Sequence, residues 1–317
     1  MIVRWSGEEL PDVLGESGIS RAFLVASPRW KSFAGLAPAG HWPEVPSDRI
    51  KAPARADGIL AVGGGSAIDT AKAASSASDL PLVSVPTTYS GAEWVPSFGI
   101  RTQERKIVGG GGGAHLAGIV YDVGLTLELS LALTVGTSLN SLAHCAEALY
   151  GRRGERGDLR AIEGAELISR WLPRVVDTPH DRAAREGLLR GAAAAGEALA
   201  LAGLALAHAI AQALGGSFGL PHGAMNALAL PPVLRFNASV APDEVARFGA
   251  AIGAEDDPAA RVEELARLGG FERLRDFDVP ESELLAVAEI AAGRAGNRQN
   301  PRPATVEEIE ALLHAIY

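Results

Sequence analysis

Up to about residue 125 the chain alternates short apolar runs with turn residues; beyond it, long segments rich in Ala, Leu, Glu and Arg take over. The runs at 22–26, 59–62, 82–85 and 119–121 are bounded by Gly, Pro, Ser or Asp, as buried parallel strands are. Residues 66–76 read as the helix between two of them, which makes a strand–helix–strand unit explicit. The segments 139–150, 159–172, 181–214, 242–252, 259–268 and 281–292 read as helices, and 305–315 as a closing one. The pattern predicts an α/β N-terminal domain over residues 1–126 followed by an all-helical C-terminal domain over 127–317. Residues 109–113, five consecutive glycines, read as a flexible loop. The nearly continuous apolar stretch 192–218 is long enough to qualify as a membrane span. Glu197, His208 and Gln212 interrupt it and much of it is Ala and Gly, so it reads as a helix buried on all sides within the helical domain.

Composition narrows the function classes. The chain of 317 residues is 47% hydrophobic and 21% charged, which describes a packed protein rather than a disordered one. Its net charge of −9 is spread without a basic stripe, which argues against a nucleic-acid partner. Cys145 is the single cysteine, so neither an intramolecular disulfide nor a thiolate metal cluster is expected. The opening Met1-Ile2-Val3-Arg4-Trp5-Ser6 has no apolar signal core; the expectation is a cytoplasmic protein without a membrane partner.

The sharpest chemical signal is Gly63-Gly64-Gly65-Ser66-Ala67-Ile68-Asp69-Thr70-Ala71-Lys72, directly after the run 59–62. Glycines let the backbone turn tightly and approach a ligand. The following helix aims free N–H groups and its positive dipole end at that ligand, which suits a pyrophosphate. The spacing differs from G-x-G-x-x-G, so an ordinary Rossmann assignment does not follow. The purely structural alternative makes Ser66 an N-cap and Asp69 the closing member of a capping box. After the next strand comes Pro86-Thr87-Thr88-Tyr89-Ser90-Gly91-Ala92-Glu93, whose hydroxyls stand where open α/β sheets bind ligands.

These two motifs, Tyr121-Asp122-Val123-Gly124-Leu125-Thr126, Leu220-Pro221-His222-Gly223 with Asn226 and Pro231, and Asn300-Pro301-Arg302-Pro303 occur in the order seen in iron-containing alcohol dehydrogenases. The chain resembles that family over roughly residues 57–317, and the stretches 140–150 and 214–222 look most like its maleylacetate reductase branch. The resemblance implies a dehydroquinate synthase-like fold and an oxidoreductase moving hydride between NAD(P)H and a carbonyl or secondary alcohol. It also implies a small-molecule substrate and a homo-oligomer. By the same resemblance Gly64, Gly65, Ser66 and Asp69 line the dinucleotide, and Thr87, Thr88 and Tyr89 lie along it. Lys106 matches the lysine that approaches the cofactor ribose, and Leu125 and Thr126 match the cofactor-facing turn that ends the first domain. Ser27 stands where many relatives carry an acidic residue for the ribose 2′-hydroxyl; without that carboxylate NADPH is acceptable alongside NADH. The chain is short between Ser27 and Asp57, with residues 41–45 as the remnant of a strand.

Metal-dependent members of the family hold a divalent ion with one Asp and three His. The matching positions are Asn140, His144, Gln212 and His222, so two ligands have become neutral amides, which bind transition metals poorly. His208 lies one turn from Gln212 on the same helix face. The expectation is an enzyme without a tightly held metal, in which His144, His208 or His222 exchanges the proton and Tyr89 assists as a hydrogen-bond donor. Other readings stay open at this level. They are a metal-dependent alcohol dehydrogenase, a degenerate binding subunit, and a biosynthetic dehydrogenase whose β-hydroxy acid substrate, free or peptide-borne, loses CO2 after oxidation. A dehydroquinate synthase-like lyase would need a full metal site and basic phosphate-binding residues that the helical half lacks.

Overall fold

The computed structural model describes residues 1–102, 107–151 and 154–317. Lys106 lies outside the described residues. The chain divides into two compact units: Met1–Thr88 with Ala92–Leu127, and Tyr89–Gly91 with Glu128–Tyr317. Tyr89–Gly91, read from sequence as part of the α/β half, therefore clusters with the helical unit.

The first unit contains strands β1 (Ile2–Arg4), β2 (Ala22–Ala26), β3 (Gly40–Trp42), β4 (Gly58–Gly63), β5 (Pro81–Pro86), β6 (Phe98–Arg101), β7 (Ile107–Gly111) and β8 (His115–Val120). Helices α1 (Leu10–Glu16) and α2 (Gly65–Ser78) accompany them. Six strands form one parallel sheet in the order β1-β8-β5-β4-β2-β3. Alternate side chains feed two cores. Leu24, Leu60, Val62, Val83 and Val85 pack with Leu10, Val13 and Leu14 of α1. Phe23, Val25, Ile59, Ala61 and Leu82 pack with Ile68, Ala71 and Ala74 of α2. Burial on both faces is why these strands read as unbroken apolar runs.

The expected glycine loop is instead partly a strand: β6 and β7 pair antiparallel, with Gly110 opposite Gly99 and Gly111 opposite Phe98. A Cβ at Gly110 would sit 2.7 Å from the Phe98 carbonyl oxygen, and one at Gly111 2.9 Å from the Phe98 ring. Close approach of the partner strand explains these glycines better than flexibility does.

The second unit is built from α3 (Leu131–Tyr150), α4 (Glu155–Asp177), α5 (Arg182–Ala202), α6 (Leu206–Phe218), α7 (His222–Asn237), α8 (Pro242–Ala251), α9 (Pro258–Arg267), α10 (Leu284–Ala292), α11 (Ala295–Gln299) and α12 (Val306–Ala315). The single helix expected over 181–214 is two, α5 and α6, bent by 102° where Gly203 takes a φ of +85°. Among the described residues no single helix is long and apolar enough to cross a membrane; α5 and α6 meet that test only as a bent pair. Helix α7 escapes a sequence reading because Pro231 and Pro232 lie inside it, although most of its residues are buried.

Candidate active site

The α/β unit offers a nucleotide cradle at the carboxyl ends of three neighbouring strands. Ser27 follows β2, the glycine turn follows β4 and Thr87–Thr88 follow β5; the Thr87 N–H donates to the Gly63 carbonyl at 3.0 Å, extending the ladder. Gly63 has a φ of +153°, and a Cβ at Gly64 would sit 2.7 Å from Thr88 Cγ2, so the turn needs glycine at both. Helix α2 starts at Gly65 with Gly64 as its N-cap and no side-chain cap, unlike the purely structural alternative in which Ser66 and Asp69 form a capping box. The first-turn N–H groups of Gly65 and Ser66 thus keep their capacity for an anion. The Asp69 carboxylate instead accepts from Lys72 Nζ at 3.1 Å and from the Gly99 N–H at 3.5 Å, tying α2 to β6. Leu125 and Thr126 lie in the turn after β8, where the Thr126 hydroxyl donates to the Val123 carbonyl at 2.9 Å. A dinucleotide fits this edge: a glycine turn with no room for a side chain, an uncapped helix start and two threonines beside it.

The helical unit gathers the histidines. Gly136, Asn140, His144 and Glu147 recur every three or four residues and form one stripe of α3. A Cβ at Gly223 would collide with the Gly136 backbone, so paired glycines let α3 and α7 approach closely. The crossing brings Asn226 against Asn140, with Asn226 Nδ2 donating to Asn140 Oδ1 at 2.8 Å and to His222 Nε2 at 3.1 Å. Asn140 Nδ2 donates to the Ser90 carbonyl at 3.0 Å. That carbonyl selects an amide: an aspartate at 140 would set oxygen against oxygen. The His144 and His208 rings stack with centroids 4.6 Å apart, and His222 lies 5.7 Å from His208.

Glu147 is the member of this cluster that the sequence reading missed. Its carboxylate is fully buried and accepts from the Ala205 N–H at 2.7 Å, the His208 N–H at 3.0 Å and His208 Nδ1 at 2.7 Å. It thereby caps α6 and fixes the tautomer of His208, whose Nε2 is buried without a partner. His144 Nδ1 is likewise buried without a partner. Burial, reinforced by His208 and His222, holds the His144 imidazole well below its usual value, so it is neutral. Two partnerless ring nitrogens therefore lie within one cluster.

Two expected participants are engaged elsewhere. Gln212, matched to the third family ligand, accepts from Arg294 Nη1 at 3.2 Å, while His208 holds the place beside His144 because Glu147 fixes its ring. The Tyr89 side chain is completely buried, and its hydroxyl accepts from Arg185 Nη1 at 3.2 Å. Its carbonyl accepts from Ser141 Oγ at 2.5 Å and its N–H donates to Thr137 Oγ1 at 3.2 Å, so Tyr89 anchors its segment to α3. Burial pushes the Cys145 thiol up, which removes it as a nucleophile.

A transition metal does not fit this donor set. Asn140 uses its amide oxygen for Asn226 and its amide nitrogen for Ser90, and rings stacked at 13° do not aim their in-plane nitrogens at one point. Among the described residues no group of three His, Cys, Asp or Glu side chains is arranged to hold a metal ion.

Comparison with known proteins places the chain. The model of the Fe-containing alcohol dehydrogenase family, C-terminal, matches residues 134–317, and that of iron-containing alcohol dehydrogenase matches residues 48–114. The chain belongs to the iron-containing alcohol dehydrogenase family. Within it the chain falls in the maleylacetate reductase branch. It is 36% identical to the maleylacetate reductase of Sphingobium indicum over 278 residues, covering 86% of this chain and 78% of that one. Against the maleylacetate reductase of Pseudomonas knackmussii it is 32% identical over 333 residues, covering 97% and 92%. The crystal structure of maleylacetate reductase from Agrobacterium tumefaciens matches with a TM-score of 0.87 at 30% identity, covering 100% of this chain and 95% of that one. The chain is thus an oxidoreductase of this family with its α/β and helical halves.

Proposed function

We propose that this family member uses NADPH or NADH to reduce a conjugated oxo-dicarboxylate of the maleylacetate type, with a histidine rather than a metal handling the proton. The observation that carries this reading is the pair Glu147–His208, packed against His144 with Asn140 in place of an anionic ligand. Gly64, Gly65 and the uncapped start of α2 would hold the pyrophosphate of the dinucleotide, which when bound would supply hydride to the carbon–carbon double bond conjugated with the ketone. Negative charge then collects on the ketone oxygen, and the histidine cluster answers it with an N–H. Glu147 accepts from the Nδ1–H of His208, which leaves Nε2 to carry the proton that moves. Neutral His144 beside it is suited to hold the ketone oxygen by a hydrogen bond. The balance is one hydride from the dinucleotide and one proton from the histidine, replaced from water, giving the enol, which ketonises to the saturated oxo-diacid.

The test combines substrate and metal. Purified protein is assayed with maleylacetate and each dinucleotide, before and after chelation, alongside elemental analysis. The expected result is turnover that survives chelation, with well under one equivalent of transition metal. Stoichiometric iron or zinc, with activity lost on removal and restored on return, would sink the metal-free mechanism. Absence of turnover with maleylacetate would sink the substrate assignment.

A further inference from the structure

Most arginines of the helical unit with described side-chain contacts stand opposite carboxylates; Arg156, Arg190 and Arg247 pair with Glu197, Glu186 and Asp158. Arg185 is completely buried without one, yet Pro179, Tyr89, Thr134 and Leu129 oxygens accept from its guanidinium. Arg294 differs from both. It is half-buried at the start of α11, and it donates only to Gln212, from Nη1 to Oε1 at 3.2 Å and from Nη2 to the backbone oxygen at 3.2 Å. Its Nε is buried with no partner. Among the described residues no carboxylate answers it.

The position gives this unanswered cation a meaning. Gln212 lies four residues after His208 on α6, about 6 Å further along the axis and on the same face. Gly216 follows one turn later, and a Cβ there would be 3.7 Å from Arg294 Nη2. Arg294 thus lies against the face of α6 that carries His208, beside residues one and two turns beyond it. A guanidinium with two donors engaged and three unused can still bind a carboxylate.

We infer that Arg294 is the carboxylate receptor of the helical unit, binding one carboxylate of a short dicarboxylate whose ketone is held at the histidines. This inference rests on the proposed reduction and names what selects its substrate class. A neutral ketone or alcohol would leave the guanidinium unanswered, so selectivity follows from the cost of that vacancy.

Adipate, a saturated dicarboxylate that cannot accept hydride, separates binding from turnover. Calorimetric titration into protein saturated with NADP+ is expected to show adipate binding that weakens at least about tenfold in Arg294→Gln, or about 1.4 kcal/mol. Arg294→Lys should recover part of the loss, and the KM for maleylacetate should rise in parallel. Dimethyl adipate serves as the control, with affinity that the substitution does not change. Thermal melting of both variants shows whether they are folded, and the lysine variant decides should the glutamine variant fail. Adipate affinity in a folded variant within about twofold of the wild type, or no adipate binding by the wild type, would overturn the assignment. Arg294-dependent adipate binding without maleylacetate turnover would keep the carboxylate receptor and discard the proposed reaction.

Discussion

Replacing Glu147 with Gln tests the centre of the mechanism, because the side chain keeps its size and loses its charge. The carboxylate now accepts three hydrogen bonds, from the Ala205 and His208 N–H groups and from His208 Nδ1. The amide has one oxygen, so at least one of these buried donors faces an N–H instead of an acceptor. Each buried donor left unpaired costs about 1–3 kcal/mol, and a lost helix cap about 1 kcal/mol. The expected destabilisation is therefore about 2–4 kcal/mol, readable by urea titration. Activity should fall further than stability explains, because the neutral amide no longer offsets the positive charge that proton transfer places on the His208 ring. In the serine-protease triad, removing the charge behind the catalytic histidine lowers kcat by about 10^4. A fall of about 10^2 or more is expected here in protein that remains folded. Nitrogen NMR of His208 should show the Nδ1–H tautomer in the wild type. Glu147→Asp, which restores charge at shorter reach, should recover part of the activity. A folded Glu147→Gln protein with kcat within about threefold of the wild type would refute the role of His208 as proton carrier.

Three further perturbations address the α/β unit. Ser27→Asp should weaken NADPH binding at least about tenfold, or about 1.4 kcal/mol, while sparing NADH; fluorescence titration with equal losses for both would show that Ser27 does not face the 2′-position. Gly64→Val should abolish measurable NADPH binding, since its Cβ would meet Thr88 Cγ2 at 2.7 Å; unchanged affinity in a folded variant would remove the phosphate assignment from this turn. Glu93→Gln reports on pH-dependent stability. Burial holds the Glu93 carboxyl above its ordinary value against the Tyr121 hydroxyl donating at 2.7 Å. The folded chain therefore binds this proton more tightly than the unfolded one, and its stability declines as pH rises from the usual glutamate value towards the raised one. The glutamine variant should melt higher than wild type at about pH 8 and lose that slope; parallel melting curves would contradict it.

What the sequence discloses depends on whether the cause of a feature is local. Strands β2, β4, β5 and β8 are legible because burial on both faces leaves an apolar run, and the glycine turn because φ and steric demands act residue by residue. The break between α5 and α6 is illegible for the opposite reason. Gly203 supplies the turn, but the N–H groups of Ala205 and His208 are received by Glu147, far away in sequence. Nothing within 181–214 announces that partner. The β6–β7 hairpin is hidden because its glycines are dictated by Phe98 on the facing strand. The same distinction runs through the site. Spacing alone finds His144, His208 and His222, and it places His208 and Gln212 on one face without saying which side chain turns to the cluster. Arg294 settles that by engaging Gln212, and its own significance lies in the missing carboxylate.

On the proposed metal-free mechanism, the charge balance of the histidine cluster suits a proton as its cargo. Residue 140 carries no charge here, because the Ser90 carbonyl requires a donor at that place. The negative charge stands instead at Glu147, two turns further along the same stripe of α3, and reaches the cluster through His208 Nδ1. His144 is held neutral by its burial and its neighbours. One buried carboxylate can balance one positive charge, whereas a dication at the same rings would leave an excess unit of charge in a poorly solvated place. The substitution of Asn for Asp at 140 thus belongs with the Glu147–His208 contact as one arrangement, suited to passing a single proton to the oxygen that hydride addition makes basic.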